Sequence, residues 1–485
     1  MGSITEREVA FLLFSSNIFL FLFLPAALAG YYLLHKPYLN AFLLAMSLLF
    51  YAWGEPKFVL VMVGSILFNY LMAMCVHWLR EKQRLKKLAL IVCVAGDLAL
   101  LFVYKYLDFF ISNVNRLGLQ LPLREFALPI GISFFTFQAM SYVIDVYRGD
   151  VAVQKKPWHV GLYIAFFPQL MAGPIVRYKD IEAQLEDGRI DFELFGEGVR
   201  RFLIGFAKKV LLANNMALIA DAAFGMPDAE RSVLYAWLGA LAYAFQILFD
   251  FSGYSDMAIG LGRMFGFRFL ENFDYPYTSK SISEFWRRWH MSLGQWFRDY
   301  VYFPLGGSRV KSKARLVFNL LAVWLLTGLW HGANWNFLLW GLLYFVLIAF
   351  EKLTGYPKKF RSGISRAVYR AFTLLAILGG WVLFRAPGTA AAAGYALTML
   401  GLKGNPLFCG NVILTLREYW VFLLVALLCS TTLFRWLRAR VDSIRAGSLR
   451  ILANAASVGA YVFLFLWAVS FLVLGAHNPF IYFNF

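Results

Sequence analysis

Long apolar segments recur along the whole chain and predict its architecture. A membrane-spanning helix needs roughly 20 mainly apolar residues, and about ten to twelve segments approach that length, several of them shorter than ideal. Examples are residues 11–33, 58–76, 88–106, 372–384 and 458–474. This pattern predicts an all-α protein that crosses a lipid bilayer many times.

The middle of the chain, from about residue 127 to 352, differs from both ends. It mixes apolar runs with Gly, Pro, Arg, Asp, Gln and His, as in "LPIGISFFTFQAMSYVIDVYRGD" and "FFPQLMAGPIVRY". Broken or polar helices are tolerated at membrane depth only where they are buried in protein or line a wet cavity. We therefore expect one membrane domain, 1–485, in which helices of 1–110 and 366–475 form walls around a functional core, 127–352.

One stretch inside that core is polar throughout. Residues 177–200, "RYKDIEAQLEDGRIDFELFGEGVR", form the longest segment of soluble character in the chain. We predict a loop that contains a short amphipathic helix.

The composition supports the membrane interpretation. Hydrophobic residues make up 60% of the chain and charged residues 15%, whereas soluble proteins carry about 25% charged residues. The four cysteines, Cys75, Cys93, Cys409 and Cys429, are scattered without paired spacing. Neither a disulfide framework nor a zinc site is indicated, so we expect no bound metal.

The net charge of +18 is concentrated in short loops between apolar segments. Short loops rich in Lys and Arg stay in the cytoplasm, so we interpret these cations as orientation signals beside anionic lipid and expect no nucleic-acid partner. A further role in attracting a polyanionic substrate such as a coenzyme remains open. The clusters are Arg80, Lys82, Arg84, Lys86 and Lys87; Arg309, Lys311, Lys313 and Arg315; Lys352, Lys358, Lys359, Arg361 and Arg366; and Arg435, Arg438, Arg440 and Arg445.

The number of apolar segments between these clusters agrees with one cytoplasmic side. Two segments separate the second cluster from the third, and two separate the third from the fourth. Three precede Arg80 and one follows Arg445. The N-terminus and the C-terminal tail, "AHNPFIYFNF", are therefore both predicted to be extracytoplasmic.

The stretch "GLWHGANWNFLLWG" places an ionisable side chain, His331, in an apolar segment. His331 follows a cationic loop by about fifteen residues, or roughly 22 Å of helix, which is less than a ~30 Å hydrocarbon core. Apolar neighbours such as Trp330, Trp335 and Phe337 favour a neutral imidazole that can accept a proton. The alternative is a buried histidine that ties two helices together.

Two kinds of neighbour favour a chemical role for His331. Asn334, three residues further on, is expected to share its helical face and orient the ring by a hydrogen bond. Gly328 and Gly332 are small enough to let backbone or substrate approach closely.

A second stretch, "SISEFWRRWHMSLGQWFRDYVYFPLGGSR" (281–309), alternates aromatic and charged residues and contains Arg287, Arg288 and His290. It suits either an interfacial amphipathic helix or a helix that enters a protein-lined cavity with His290 pointing inward. The remaining histidines lie at segment edges or in the tail, and we expect no catalytic role for them. They are His35, His77, His159 and His477.

Other catalytic patterns are missing from the sequence. It contains no GxSxG, HExxH or GxxxxGK[ST] motif. Asp250 and Asp256 could form a carboxylate pair, although their spacing does not require them to face each other. What remains is histidine acid/base chemistry, in which a neutral imidazole takes the proton of a hydroxyl attacking a carbonyl, typically worth about 10²–10⁴ in rate.

The two histidine stretches, in this order, resemble the membrane-bound O-acyltransferase family. The similarity extends to "LPIGISFFTFQAMSYVIDVYRGD", "AGPIVRY" and "ILFDFSGYSDMAIGLG" and covers most of residues 10 to 390. Within the family the chain resembles the bacterial polysaccharide O-acetylation branch, which includes the membrane subunits of alginate O-acetylation.

The resemblance implies a fold, a site and a reaction. The fold is a ring of membrane helices around a thinned centre, with short or re-entrant helices and a tunnel. His331 corresponds to the essential catalytic histidine and His290 to a second functional position, with Asn334, Trp330, Arg287, Arg288 and Gly332 as supporting or tunnel residues.

The implied reaction takes an acetyl group from a cytoplasmic donor, expected to be acetyl-CoA, which acts as a substrate and not as a bound cofactor. The group crosses the bacterial inner membrane to an extracytoplasmic acetyltransferase partner of the SGNH type and then to a polysaccharide. The motifs do not distinguish alginate, cellulose, peptidoglycan and teichoic acid as acceptors.

Two rival classes of function remain. A proton-coupled transporter or flippase would also have many spans, broken helices and polar residues at mid-membrane. A scaffold that only anchors an extracytoplasmic enzyme would leave the intramembrane histidine unexplained.

Overall fold

Helices account for the regular structure found in the described part of this computed structural model, which covers residues 12–187, 190–444 and 447–475 together with 478, 479 and 481. In chain order the α-helices are α1 Leu24–Leu33, α2 Leu39–Gly54, α3 Val59–Trp78, α4 Gln83–Leu101, α5 Leu107–Asn115, α6 Ile132–Arg148, α7 Pro157–Ala165, α8 Phe167–Leu170, α9 Tyr178–Asp187, α10 Phe192–Ala207, α11 Asn214–Gly225, α12 Val233–Met264, α13 Ile282–Arg288, α14 Met291–Phe297, α15 Lys313–His331, α16 Trp335–Thr354, α17 Gly363–Arg385, α18 Thr389–Met399, α19 Gly410–Cys429, α20 Leu433–Asp442 and α21 Ser448–Val473.

Several of these helices continue into one another through short π-helical turns. The turns are Phe19–Phe23 before α1, Phe102–Tyr106 between α4 and α5, Lys208–Ala213 between α10 and α11, and Arg298–Tyr302 after α14. Two short 3₁₀ turns, Lys36–Tyr38 and Pro276–Thr278, precede α2 and α13.

Ten helical stretches of the described chain are long and apolar enough to cross a membrane. This number confirms the expectation of ten to twelve spans. A further apolar helix, Phe19–Leu33, is shorter than a full span. The ten are Lys36–Gly54, Val59–Trp78, Gln83–Asn115, Phe192–Gly225, Val233–Met264, Lys313–His331, Trp335–Thr354, Gly363–Arg385, Gly410–Cys429 and Ser448–Val473.

The spans differ in how much of their surface the protein covers. In Phe192–Gly225 and in Val233–Met264, 72% of the most apolar window is buried, whereas in Ser448–Val473 the share is 6%. A helix whose surface is mostly unburied by protein exposes its apolar side chains to lipid. A helix whose surface is mostly buried packs against other helices.

The prediction for residues 177–200 is right in its first half and wrong in its second. The amphipathic helix is α9, Tyr178–Asp187. However, a long helical stretch begins at Phe192 and continues to Gly225. The acidic residues of 192–200 occupy the exposed beginning of that helix, which made the sequence read as a loop.

The chain divides into two compact units. The first contains residues 1–202 and 254–270, and the second contains 203–253 and 271–485. The division crosses the predicted core segment 127–352, and α10 and α12 contribute residues to both units.

Aromatic packing fills the interior of the first unit. Phe14 stacks on Tyr254 with ring centroids 4.6 Å apart, and Phe50 lies 5.5 Å from Phe167. The Tyr31 hydroxyl donates a 2.8 Å hydrogen bond to the carbonyl of Phe265 and so ties α1 to the end of α12.

The second unit contains a closely packed helical hairpin, α15–α16. A Cβ atom on Gly328 would lie 2.4 Å from the Phe337 carbonyl oxygen, and one on Gly341 would lie 2.4 Å from the Trp324 carbonyl oxygen. Glycine at both positions lets the two backbones touch, as small residues do in membrane helix pairs. The hairpin places the end of α15, and with it His331, against the start of α16.

Candidate active site

His331 is the last residue of α15. Gly332 then continues in an extended conformation, and Asn334 begins α16 as its N-cap, where its side chain accepts a 3.2 Å hydrogen bond from the Asn336 amide. The expectation that Asn334 shares a helical face with His331 is therefore wrong, because the helix ends between them. Asn334 instead positions the start of the second helix of the hairpin.

Aromatic rings surround the His331 imidazole, and the residue is 6% exposed. Its ring centroid lies 5.0 Å from Trp330, 5.0 Å from Trp340 and 5.2 Å from Phe384. Trp335, which the sequence placed in this shell, is 47% exposed. The rings beside the imidazole include Trp340, about one and a half turns beyond Trp335 on α16, and Phe384 of α17.

His290 lies at the break between α13 and α14, where its backbone adopts the left-handed conformation with φ of 46°. Its side chain is buried, and the Nδ1 atom lies 3.2 Å from the Asn272 Oδ1 atom. The same oxygen accepts hydrogen bonds from the Ser292 amide and hydroxyl. A carboxamide oxygen as partner fits an imidazole protonated on Nδ1, which directs the lone pair of Nε2 to the other side of the ring.

Burial lowers the pKa of the His290 imidazole to about 3, because charging the ring in an apolar surround is unfavourable. Phe251 supplies part of that surround, with ring centroids 4.6 Å apart in an edge-to-face arrangement. His290 is therefore neutral at physiological pH.

His290 and His331 both contact the side chain of Trp330. The Trp330 ring makes edge-to-face contacts with both imidazoles, at 5.8 Å from His290 and 5.0 Å from His331. The stretch 281–309 thus enters the interior of the second unit at His290, which decides against a purely interfacial helix there.

The two arginines before His290 have different surroundings. Arg287 is exposed, while the Arg288 guanidinium forms a 2.7 Å ion pair with Glu284 and lies 3.9 Å from Asp274. Asp274 also pairs with Arg435. Arg288 is thereby held in a network of charges, and Arg287 remains available at the surface.

A buried carboxylate holds α13 against α16. Glu351 accepts hydrogen bonds from the amides of Ile282 at 2.8 Å and Ser283 at 2.9 Å, the first residues of α13, and from the Tyr369 hydroxyl at 2.9 Å. A negative charge at a helix N-terminus is favourable. Glu351 fixes the helix that leads to His290, and sequence reasoning missed it because the two amides that it caps are 69 and 68 residues away.

A buried ion pair joins two long spans. The Lys209 ammonium is 2.7 Å from Asp250 Oδ1, and Asp256 pairs instead with Arg201 at 2.6 Å. The hypothesis of an Asp250–Asp256 carboxylate pair is therefore wrong, since each carboxylate has its own cation.

Residues of the C-terminal tail contact the Lys209–Asp250 pair. The Ile481 amide donates a 2.9 Å hydrogen bond to Asp250 Oδ2, and Lys209 also donates to the Pro479 carbonyl. The sequence indicated no such contact. The N-terminal residues 1–11, His477 and most of the tail's last residues lie outside the described part of the chain.

No group of three His, Cys, Asp or Glu side chains that could hold a metal ion is found in the described ranges.

Comparison with known proteins identifies the family. Residues 157–356 match the model of the membrane-bound O-acyltransferase family. The chain is 44% identical over 390 residues to the probable alginate O-acetylase AlgI of Pseudomonas putida, which covers 79% of each protein. The chain belongs to the membrane-bound O-acyltransferase family. It is a multi-pass membrane enzyme of the O-acyltransferase class.

Two further relatives have other names. The peptidoglycan O-acetyltransferase of Helicobacter pylori is 36% identical over 437 residues, covering 83% of this chain and 82% of that one. The teichoic acid D-alanyltransferase of Bacillus subtilis is 32% identical over 242 residues, covering 46% of this chain and 60% of that one. The matched region of the family model includes both His290 and His331.

Proposed function

We propose that this O-acyltransferase transfers an acetyl group from acetyl-CoA on the cytoplasmic side to an acceptor outside the cytoplasm, for O-acetylation of a polysaccharide such as alginate. The observation that carries the proposal is the buried His331 at the end of a spanning helix, in aromatic contact through Trp330 with a second buried histidine.

His331 acts as the general base. It takes the proton of the acceptor hydroxyl as the oxygen attacks the thioester carbonyl, and the C–S bond breaks as the new C–O bond forms. The proton then passes from the imidazolium to the departing coenzyme thiolate. Such a base contributes about 10²–10⁴ in rate, and a site without bulk water suppresses hydrolysis of the thioester.

His290 and the neighbouring side chains position the reaction. The Asn272 carboxamide orients His290, whose ring in turn packs against Trp330. Asn334 caps the helix that follows His331, and Gly332 leaves room where a Cβ atom would lie 2.3 Å from the Phe337 ring. Arg287 and the cationic loops attract the polyanionic donor.

The orientation follows from the cationic loops. Two described spans lie between the cationic clusters at 309–315 and 352–366, and two lie between those at 352–366 and 435–445. These even numbers support one cytoplasmic side for these three clusters. The N- and C-termini are then extracytoplasmic, in the inner membrane of a bacterium. An extracytoplasmic acetyltransferase of the SGNH type completes the transfer.

Alginate is the proposed polysaccharide because a probable alginate O-acetylase shares 44% identity with the chain over 79% of both proteins. Peptidoglycan, cellulose and teichoic acid are the alternatives for the same mechanism. A panel of polysaccharides offered with the extracytoplasmic partner distinguishes them.

The test uses purified protein in detergent with acetyl-CoA labelled in the acetyl group. Loss of thioester is followed with and without an extracytoplasmic partner, for the wild type and for His331→Ala. We expect turnover that requires both an acceptor and His331, while the variant keeps its elution profile and thermal stability. Equal turnover by the variant would remove His331 from the mechanism, and a wild type that binds and moves acetyl-CoA without consuming it would favour a transporter.

A further inference from the structure

We propose that three aromatic side chains of the second unit, Trp286, Trp340 and Tyr344, bind the amide-bearing thioester arm of the acyl donor through their hydrogen-bond donors. The inference rests on the proposed function and deepens it, because it assigns the residues that hold the donor beside His331.

The three rings form a continuous patch that starts at His331. The Trp340 ring lies 5.0 Å from the His331 ring. Trp286 lies 5.3 Å from Trp340 and 4.8 Å from Tyr344, and Trp340 lies 5.2 Å from Tyr344. A ligand that touches these rings is therefore adjacent to the imidazole.

All three side chains carry a buried polar group that has no hydrogen-bond partner in the described chain. These groups are the indole Nε1 atoms of Trp286 and Trp340 and the hydroxyl of Tyr344. Trp340 is 1% exposed and Tyr344 is fully buried. A buried donor without an acceptor is destabilising, and such groups are rare in folded proteins. Three of them in mutual contact indicate a site for a ligand with several acceptors.

Two tyrosine hydroxyls of the second unit, those of Tyr277 and Tyr369, have partners within the protein. The Tyr277 hydroxyl donates to the Ala244 carbonyl at 2.7 Å and accepts from the Trp381 indole at 3.0 Å. The Tyr369 hydroxyl donates to Glu351 at 2.9 Å. The protein itself satisfies the Tyr277 and Tyr369 hydroxyls, whereas the polar groups of Trp286, Trp340 and Tyr344 have no acceptor in the described chain.

The position of the patch along α16 fits the donor. Tyr344 lies nine residues after the start of the helix, or about 14 Å. It is thus between the His331 end and the basic cluster that begins at Lys352 in the last turn of α16. A polyanionic coenzyme head group at that loop would lead its arm past Tyr344 and Trp286 to Trp340. The arm offers two amide carbonyls and the thioester carbonyl, which provide one acceptor for each of the three donors.

Gly380 keeps the space next to the Tyr344 hydroxyl. A Cβ atom on Gly380 would lie 2.2 Å from that oxygen. The rings are in contact with one another, so binding of the arm requires them to separate. The glycine on α17 leaves the space that the Tyr344 hydroxyl occupies. Gly380→Ala is therefore a way to displace the hydroxyl without removing it.

The decisive variant is Tyr344→Phe. A hydroxyl that binds the donor and a hydroxyl that only stabilises the fold predict opposite results for KM and for thermal stability. If the hydroxyl serves the donor, we expect KM for acetyl-CoA to rise about 5–10-fold while thermal stability stays the same or increases, since an unsatisfied buried group is removed. The matched control is Tyr277→Phe, which loses two internal hydrogen bonds. It should lower the melting temperature and leave KM for acetyl-CoA unchanged per folded molecule.

Two further variants extend the test. Trp286→Phe removes only the indole donor and should show the same signature as Tyr344→Phe. Gly380→Ala should also raise KM. An unchanged KM in Tyr344→Phe and Trp286→Phe, or a loss of stability in both, would overturn the assignment, since the groups would then be structural.

Calorimetric binding of acetyl-CoA separates this inference from the proposed function. A wild type that neither binds nor consumes acetyl-CoA overturns the proposed donor and the patch with it. A wild type that binds and consumes it, alongside a Tyr344→Phe variant that binds equally tightly, overturns the patch alone.

Discussion

Two helical hairpins, one in each unit, bury polar side chains inside spans of similar length. In α3–α4 of the first unit, Asn69 donates to Asp97 at 2.9 Å and Cys93 donates to Asn69 at 3.3 Å. These three side chains bond with one another. In α15–α16 of the second unit, His331 and Trp340 lie among rings, and the Trp340 indole has no acceptor in the described chain.

The comparison distinguishes two kinds of polar group buried in a membrane protein. A polar group that is satisfied within its own hairpin ties two helices together, as interhelical hydrogen bonds do in lipid. A group whose bonding capacity is left open is expensive until a ligand uses it. Burial of an ionisable residue is common to both hairpins, so it does not by itself indicate function.

The largest expected effect on stability concerns Glu351, a group of the second hairpin whose hydrogen-bond partners lie on α13 and α17. Glu351→Ala leaves the amides of Ile282 and Ser283 and the Tyr369 hydroxyl without their acceptor, and should lower the free energy of unfolding by about 3 kcal/mol. Activity should fall as well, because α13 leads to His290. Thermal unfolding in detergent measures the first effect and acetyl-CoA consumption the second.

Glu351→Gln is the matched control for this prediction. The carboxamide retains an acceptor of the same shape, so it should recover more than half of the lost stability. If both substitutions leave the melting temperature unchanged, Glu351 does not hold the two helices together.

A smaller effect is expected in the first hairpin. Asp97→Ala removes the acceptor of the Asn69 carboxamide and should destabilise the protein by about 2 kcal/mol. Turnover per folded molecule should remain that of the wild type, because the cluster is closed on itself. Measurement of both quantities on one preparation tests the comparison directly, and a loss of turnover with unchanged stability would contradict it.

The smallest effect is expected at Asn334. Asn334→Ala removes an N-cap and should cost about 1 kcal/mol of stability, with a modest fall in turnover since α16 carries Trp340 towards His331. Asn334→Asp, which can still cap the helix, should restore stability. If Asn334→Ala instead abolished turnover while its melting temperature stayed that of the wild type, Asn334 would have a direct part in the chemistry.

Much of the fold follows from patterns that are local in the chain. Apolar length predicted the number of spans, and the aromatic and charged alternation of 281–309 predicted a segment unlike a lipid-facing helix. The error at residues 192–200 has a physical cause: the helix begins in an exposed acidic turn and becomes apolar only later. Composition over a short window does not reveal where such a helix starts.

The candidate site was predictable only in part. His331 and His290 stood out because an ionisable group in an apolar segment is rare. Asn272, Glu351 and Trp340 did not stand out. An amide, an acid at a helix end and a tryptophan among many are each ordinary in sequence, and their importance depends on contacts with distant residues. The break of the helix after His331 also contradicted the expected place of Asn334.

The sequence by itself determined that this protein is a membrane protein, how many times its helices can cross, and which two histidines are candidate site residues. All three depend on the free energy of transferring each segment into lipid. Only the tertiary structure decided which polar groups satisfy one another and which remain open beside His331. Hydrogen bonding depends on distances of about 3 Å between side chains that are far apart in the chain, and no local pattern encodes those distances.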